Sequence, residues 1–315
     1  MKFGASSWPF QWDPPYEDAI KRVGRLGFKA IELIAWQKQY LDEIYTRPNI
    51  ANLKRVLADE GVALSQFVMS VHDFASPDAA KRKEGLETFR RVVEVGVELG
   101  APIINSVACW PFGNARAFPR ITTKPLVQTF AAPFPAGLDW TRNYDDYIET
   151  LHAAGDICQN VGVRYSLEPH PFSYMANTLG ALRLLERVDS EAIGINYDPS
   201  HTFPVGDFPN VAVYQLGKKI IHVHASDNDG VTNVHWRPGR GKIDWTQFVQ
   251  ALKDVGYDGV ISIELEDVPG VSRGSNPDAP GLFRNKTATD EFVAETVAGR
   301  DYLIGICKEV GVTVE

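Results

Sequence analysis

Six times along the chain a polar helical stretch ends in glycine and an apolar run follows at once. The joins read RLGFKAIELI at Gly27, DEGVALSQFV at Gly61, ELGAPIINSV at Gly100, QNVGVRYSLE at Gly162, QLGKKIIHVH at Gly217 and DVGYDGVISIELE at Gly256. Glycine just past a helix end takes the left-handed conformation at no steric cost. The runs that follow are rich in Val and Ile with almost no charge, as in strands buried on both faces. Two joins, LGFKAIEL and VGYDGVISIEL, also resemble each other. The pattern is strand–helix alternation around a parallel sheet.

Eight strands can be read, at Lys2–Ser7, Ala30–Ile34, Ala63–Val68, Pro102–Val107, Arg164–Glu168, Ile193–Asp198, Ile220–His224 and Val260–Leu265. Helical patterns lie between them, such as Ser76 to Leu99, with Ser76 before Pro77 as the expected N-cap, and Asn177 to Arg187. Eight such units predict an α/β fold, a (β/α)8 TIM barrel, with residues 1–315 as a single domain. A doubly wound sheet is the runner-up, but the GxGxxG turn it would need after the first strand is absent. Two long irregular segments leave the C-terminal ends of strands, an insertion at about 109–141 and a lid-like loop at about 267–287. Both are expected to cover substrate.

Composition narrows the partners. Thirty-two basic residues against 40 acidic ones give a net charge of −8, which argues against nucleic acid as a partner. No apolar run is long enough to span a membrane and no apolar leader is readable at the N-terminus. Three scattered cysteines build neither a disulfide framework nor a zinc ribbon. A cytoplasmic protein is expected, working as a homo-oligomer.

Chemistry gathers at the strand ends. Strand five ends in Glu168, strand six in Asp198 with His201 three residues on, strand seven in His222 and His224, and strand eight in Glu264. Charge at the end of an apolar strand is costly unless paired or metal-bound. Two Glu, one Asp and one His form an oxygen-rich set that suits one divalent ion, Mn²⁺ first, with Mg²⁺, Co²⁺ or Zn²⁺ as alternatives. His224 is the expected ligand of strand seven, and His222, deeper in the barrel, is read as structural. Aromatic residues, among them Trp8, Phe10, Trp36, Trp110 and Phe112, collect near the same rim, where ring faces suit the C–H face of a sugar. His170, two residues after Glu168, is a candidate substrate contact.

At YDPSH, HVHASDN, HWRPGRGKIDW and GYDGVISIELE the sequence resembles the xylose-isomerase-like superfamily of sugar isomerases and epimerases. That superfamily also holds ketohexose 3-epimerases, inosose dehydratases, C-glycoside deglycosidase large subunits and endonuclease IV-type enzymes. The resemblance implies that Glu168, Asp198, His224 and Glu264 form the family's single metal site. It implies that Glu168 and Glu264 act as acid and base across a sugar, that His201 reaches a substrate oxygen and that Arg237 binds substrate. The three-zinc nuclease pattern is incomplete. His72 matches one extra ligand, but Asn105 stands where a histidine is needed, and Asn233-Val234-His235 lacks the carboxylate. His72 and His235 are therefore read as substrate-facing. The expected reaction is isomerisation or epimerisation of a small sugar by proton abstraction next to a carbonyl, through a metal-stabilised enediolate. The alternative is a lyase of the same superfamily, eliminating from a keto sugar. It would bring a small partner subunit.

Overall fold

The computed structural model describes residues 1–113, 134, 136–266, 268 and 289–315. Most of the two long segments expected at 109–141 and 267–287 therefore lies outside the described residues. Eight parallel strands close into a barrel in sequence order. They are β1 (Lys2–Ser6), β2 (Ala30–Ile34), β3 (Ala63–Val68), β4 (Ile103–Val107), β5 (Arg164–Glu168), β6 (Ile193–Tyr197), β7 (Ile220–Ala225) and β8 (Val260–Ile263). Closure is made by β1 against β8, from Lys2 opposite Val260 to Ala5 opposite Ile263.

All six glycines at the joins have positive φ. Gly100 shows the reason. At φ +87° it caps the helix Ala79–Leu99 and reverses the chain into β4, and a Cβ there would meet nothing within 4 Å. Backbone conformation, not space, selects glycine at that point. The same helix starts at Ala79. Its cap is Asp78, whose carboxylate accepts the Ala80 N–H at 2.8 Å, and not Ser76 as expected. Ser76 instead accepts the Asp78 N–H at 3.2 Å, so the two neighbouring cap residues act in series.

Between barrel and helices lies an apolar layer that includes Phe67, Phe89, Val92 and Leu99. Each such side chain contributes about 1.5–3 kcal/mol by leaving water. Barrel interiors of this fold are usually filled by branched apolar residues. This one is polar. One buried polar side chain enters from each strand: Ser6, Glu32, Gln66, Asn105, Ser166, Asn196, His222 and Ser262. The ladder shifts register at two places, between Ile31 and Glu32 in β2 and between Ile195 and Asn196 in β6. Such irregularities re-aim side chains, and both lie at members of this belt.

Candidate metal centre

Above the belt stand the four strand-end groups read from the sequence. Glu168 ends β5, His224 lies in β7 and Glu264 directly follows β8. Asp198 follows β6 and also caps the short helix Pro199–Thr202, its Oδ1 accepting the Ser200 N–H at 2.7 Å. Its two oxygens thus divide their work, since Oδ2 faces the imidazoles of His201, at 3.9 Å, and His235, at 3.5 Å. One donor atom from each of Glu168, Asp198, His224 and Glu264 falls within 4.8 Å of all the others, and all four residues are buried.

His224 organises the cluster. Its Nδ1 lies 3.0 Å from Glu168 Oε1 and 2.6 Å from Glu264 Oε2. Its Nε2 lies 2.9 Å from Glu32 Oε2 on the far side of the ring. Burial alone would push this imidazole down, but Glu264, Glu32 and Glu168 outweigh it and raise it well above its ordinary value. Burial also pushes Glu168 up to about 8, although His224 pulls the other way. Asp198 rises to about 6, again through burial, against the pull of His235. Carboxylates crowded out of water in this way hold their charge poorly without a cation. A divalent ion among them would supply it, and the oxygen-rich donor set with one imidazole fits a hard or borderline ion. The residues present therefore fit the metal that the sequence implied.

The histidines line up beside this cluster. The rings of His170 and His201 lie tilted by 35° with centroids 3.6 Å apart, and His201 meets His235 edge-on at 4.5 Å. His201 Nε2 is 3.8 Å from Glu168 Oε1, and its Nδ1 bonds Asn233 Oδ1 at 3.0 Å. His170 Nε2 is 3.9 Å from the same Glu168 oxygen. Burial, reinforced by neighbouring imidazoles, holds His170 and His201 well below the usual range, so both rings are neutral. His235 opposes burial with Glu266 and Asp198 and rises to about 9. Trp110 extends the row, 5.8 Å from His170 and 5.5 Å from His72. Its indole N–H donates to the Pro171 carbonyl at 3.2 Å. His222 stays below, bonded to Asn196 Oδ1 at 2.9 Å and pushed by burial to about 3, in keeping with a structural part.

Two predicted substrate contacts are engaged with protein groups. Trp8 is buried and donates its indole N–H to Glu264 Oε1 at 2.9 Å, so it touches a member of the cluster directly. Arg237 pairs with Glu295 at 3.1 Å, and Arg240 shares the same oxygen at 3.1 Å. Asp227 organises the loop that carries both arginines, accepting N–H groups of Gly239 at 2.9 Å, Ile243 at 3.2 Å and the Trp245 indole at 2.9 Å. Sequence reasoning missed Glu32, Gln66 and Asn196, which stand under the cluster and touch His224. Their signal was a polar residue inside an apolar strand, Glu32 in AIELI and Asn196 in IGINY, with Gln66 beside Ser65 in ALSQFV.

The chain is similar to several known proteins. An uncharacterized protein of Methanocaldococcus jannaschii is 33% identical over 275 residues, covering 85% of each chain. A D-psicose 3-epimerase of Ruminiclostridium cellulolyticum is 24% identical over 287 residues, covering 88% of this chain and 87% of its own. An inosose dehydratase of Geobacillus kaustophilus is 24% identical over 238 residues, 70% of this chain and 73% of its own. Among solved structures, a D-psicose 3-epimerase with D-tagatose from Clostridium cellulolyticum H10 superposes with a TM-score of 0.75 at 18% identity, covering 97% of this chain and 99% of that one. That likeness is one of fold. The family described as xylose isomerase-like TIM barrel matches residues 20–285, which is most of the chain, and the chain belongs to that family.

Proposed function

We propose that the protein is a divalent-metal-dependent sugar epimerase or isomerase that moves a proton at a carbon next to a carbonyl. The observation that carries this reading is the pair Glu168 and Glu264, brought from β5 and the end of β8 to the same nitrogen of His224. Glu168, Asp198, His224 and Glu264 would hold the ion. When bound, a divalent cation polarises a sugar carbonyl and its neighbouring hydroxyl and so acidifies the C–H between them. One glutamate takes that proton and the other returns one, to the opposite face of the same carbon or to the next carbon. Neutral His201 and His170, beside Glu168, orient the sugar oxygens by hydrogen bonding, and His235, His72, Trp110 and Arg237 complete the substrate contacts. Trp8 holds Glu264 in place. The epimerases among the relatives support a small sugar as substrate.

The test is turnover of D-psicose and other free ketohexoses in D₂O with Mn²⁺, followed by NMR, with chelator-treated protein as control. Deuterium on the inverted carbon is the epimerase outcome and deuterium on the neighbouring carbon the isomerase outcome. Turnover without any carbon-bound label means hydride transfer and removes the two-glutamate mechanism. Metal analysis of the loaded protein should find one equivalent, and two or three would overturn the single-ion site.

Trp8→Phe keeps a ring in the slot and deletes the N–H donated to Glu264. A hydrogen bond to a charged group is worth about 1.5–3 kcal/mol. We therefore expect turnover to fall at least tenfold with the ion still bound. An unchanged rate would show that Trp8 merely fills space.

A further inference from the structure

Glu32 is a fully buried carboxylate that the proposed reaction leaves without a task. It sits in the middle of β2, fully buried inside the barrel, at the point where the β2–β3 ladder shifts register. A carboxylate in such a place costs several kcal/mol unless it is paired and hydrogen-bonded. Glu32 is both. Gln66 Nε2 donates to its Oε2 at 2.7 Å, and Ser6 Oγ lies 3.5 Å from its Oε1. His224 Nε2 completes the set, 2.9 Å from Oε2 and 3.1 Å from Oε1. The acceptor-only Glu32 carboxylate fixes the direction of the Gln66 amide, with Nε2 toward Glu32 and Oε1 toward Ser166 Oγ at 3.3 Å. The Glu32 carboxylate lies closest to His224 Nε2, with His222 Nε2 farther off at 3.9 Å, and a carboxylate only accepts, so His224 Nε2 carries a hydrogen. The other nitrogen, Nδ1, faces Glu168 and Glu264, where a cation seated among the carboxylates would take its lone pair.

We propose that Glu32 is a positioning residue: it locks His224 with Nε2–H toward the barrel floor, leaving Nδ1 to give its lone pair to a divalent cation among the three carboxylates, and so sets how tightly the cluster holds that cation. The inference rests on the metal-site reading above and adds a determinant of affinity outside the four ligands. Groups that orient a ligating imidazole in this manner are commonly worth 10–100-fold in metal affinity. Glu32 does not touch substrate in this scheme. Its loss should appear in cation binding first and in turnover only through it.

The experiment uses the full chain. Free Mn²⁺ is followed by electron paramagnetic resonance during titration of wild type, Glu32→Gln and Asp198→Asn. We expect one Mn²⁺ per wild-type chain, binding about 10–100-fold weaker in Glu32→Gln at the same stoichiometry, and little or none in Asp198→Asn. Equal affinity in wild type and Glu32→Gln overturns the role given to Glu32 while leaving the metal site standing. No binding by wild type overturns the metal-site reading, and this inference falls with it. A second measurement does not depend on the variant folding. In ¹⁵N-histidine NMR of the Mg²⁺-loaded wild type, His224 should show a protonated Nε2 and a bare Nδ1. The opposite tautomer overturns the inference.

Discussion

Replacing Glu168 or Glu264 by glutamine should lower turnover of a ketohexose by about 10²–10⁴, the span ordinarily attributed to one acid–base group in the transition state. The amide keeps the volume and one acceptor oxygen, so packing against His224 survives. What disappears is the capacity to take or return a proton, together with one negative charge beside the ion. Those two losses separate by experiment. At saturating Mn²⁺, confirmed by metal analysis, the ion-binding deficit is removed and the proton-transfer deficit remains. Each variant should then still bind sugar, and exchange of carbon-bound hydrogen with D₂O should fall in step with turnover. A near-normal rate in either variant with metal bound would mean that the two-glutamate mechanism is wrong.

The second large effect is on stability. A Cβ at Gly241 would lie 2.2 Å from the Asn228 carbonyl oxygen and 2.2 Å from Asp227 Oδ1. Neither neighbour is free to retreat. Asp227 holds three N–H groups of the 236–245 loop, and the Asn228 carbonyl accepts the Lys242 N–H at 2.8 Å. Gly241→Ala should therefore cost about 3 kcal/mol, visible as a melting midpoint lower by several degrees. Gly305→Ala is the internal contrast. It lies in the helix Asp290–Glu309, a Cβ there meets nothing within 4 Å, and alanine is the better helix former. It should stabilise by about 0.5–1 kcal/mol. If both alanines behaved alike in a calorimetric scan, the crowding at Gly241 would not be what selects glycine.

How much of this was legible in the residues depended on how local the cause was. A glycine with positive φ between a helix and an apolar run is a local matter, so the six joins marked their strands to within about two residues. The four cluster residues stood out because charge at the end of an apolar strand needs a partner. Glu32 was passed over although LGFKAIEL resembles VGYDGVISIEL, whose glutamate, Glu264, was counted. The two differ in spacing from their glycines. One lands at the strand end and the other in mid-strand, where a glutamate reads as an isolated polar position. What turns Glu32 toward His224 is a register shift between β2 and β3 and the matching height of β7. Those are long-range facts of the closed barrel. The pairing of Arg237 with Glu295 was equally out of reach, because it depends on how the helix Asp290–Glu309 packs beside the 236–245 loop.

The seam between β1 and β8 also bears on how the chain acquires activity. The four cluster residues come from the second half of the sequence, whereas Glu32 and Trp8 come from its first tenth or so, and the Trp8–Glu264 bond spans 256 positions. No half-barrel fragment contains the whole assembly. Contacts of such sequence separation are intrinsically slow to form. Catalytic competence should therefore arise late in folding, when the last strand docks on the first. An ion bound at the cluster would be held more tightly in the closed ring, where Trp8 and Glu32 support its ligands, and by mass action it would favour that final step.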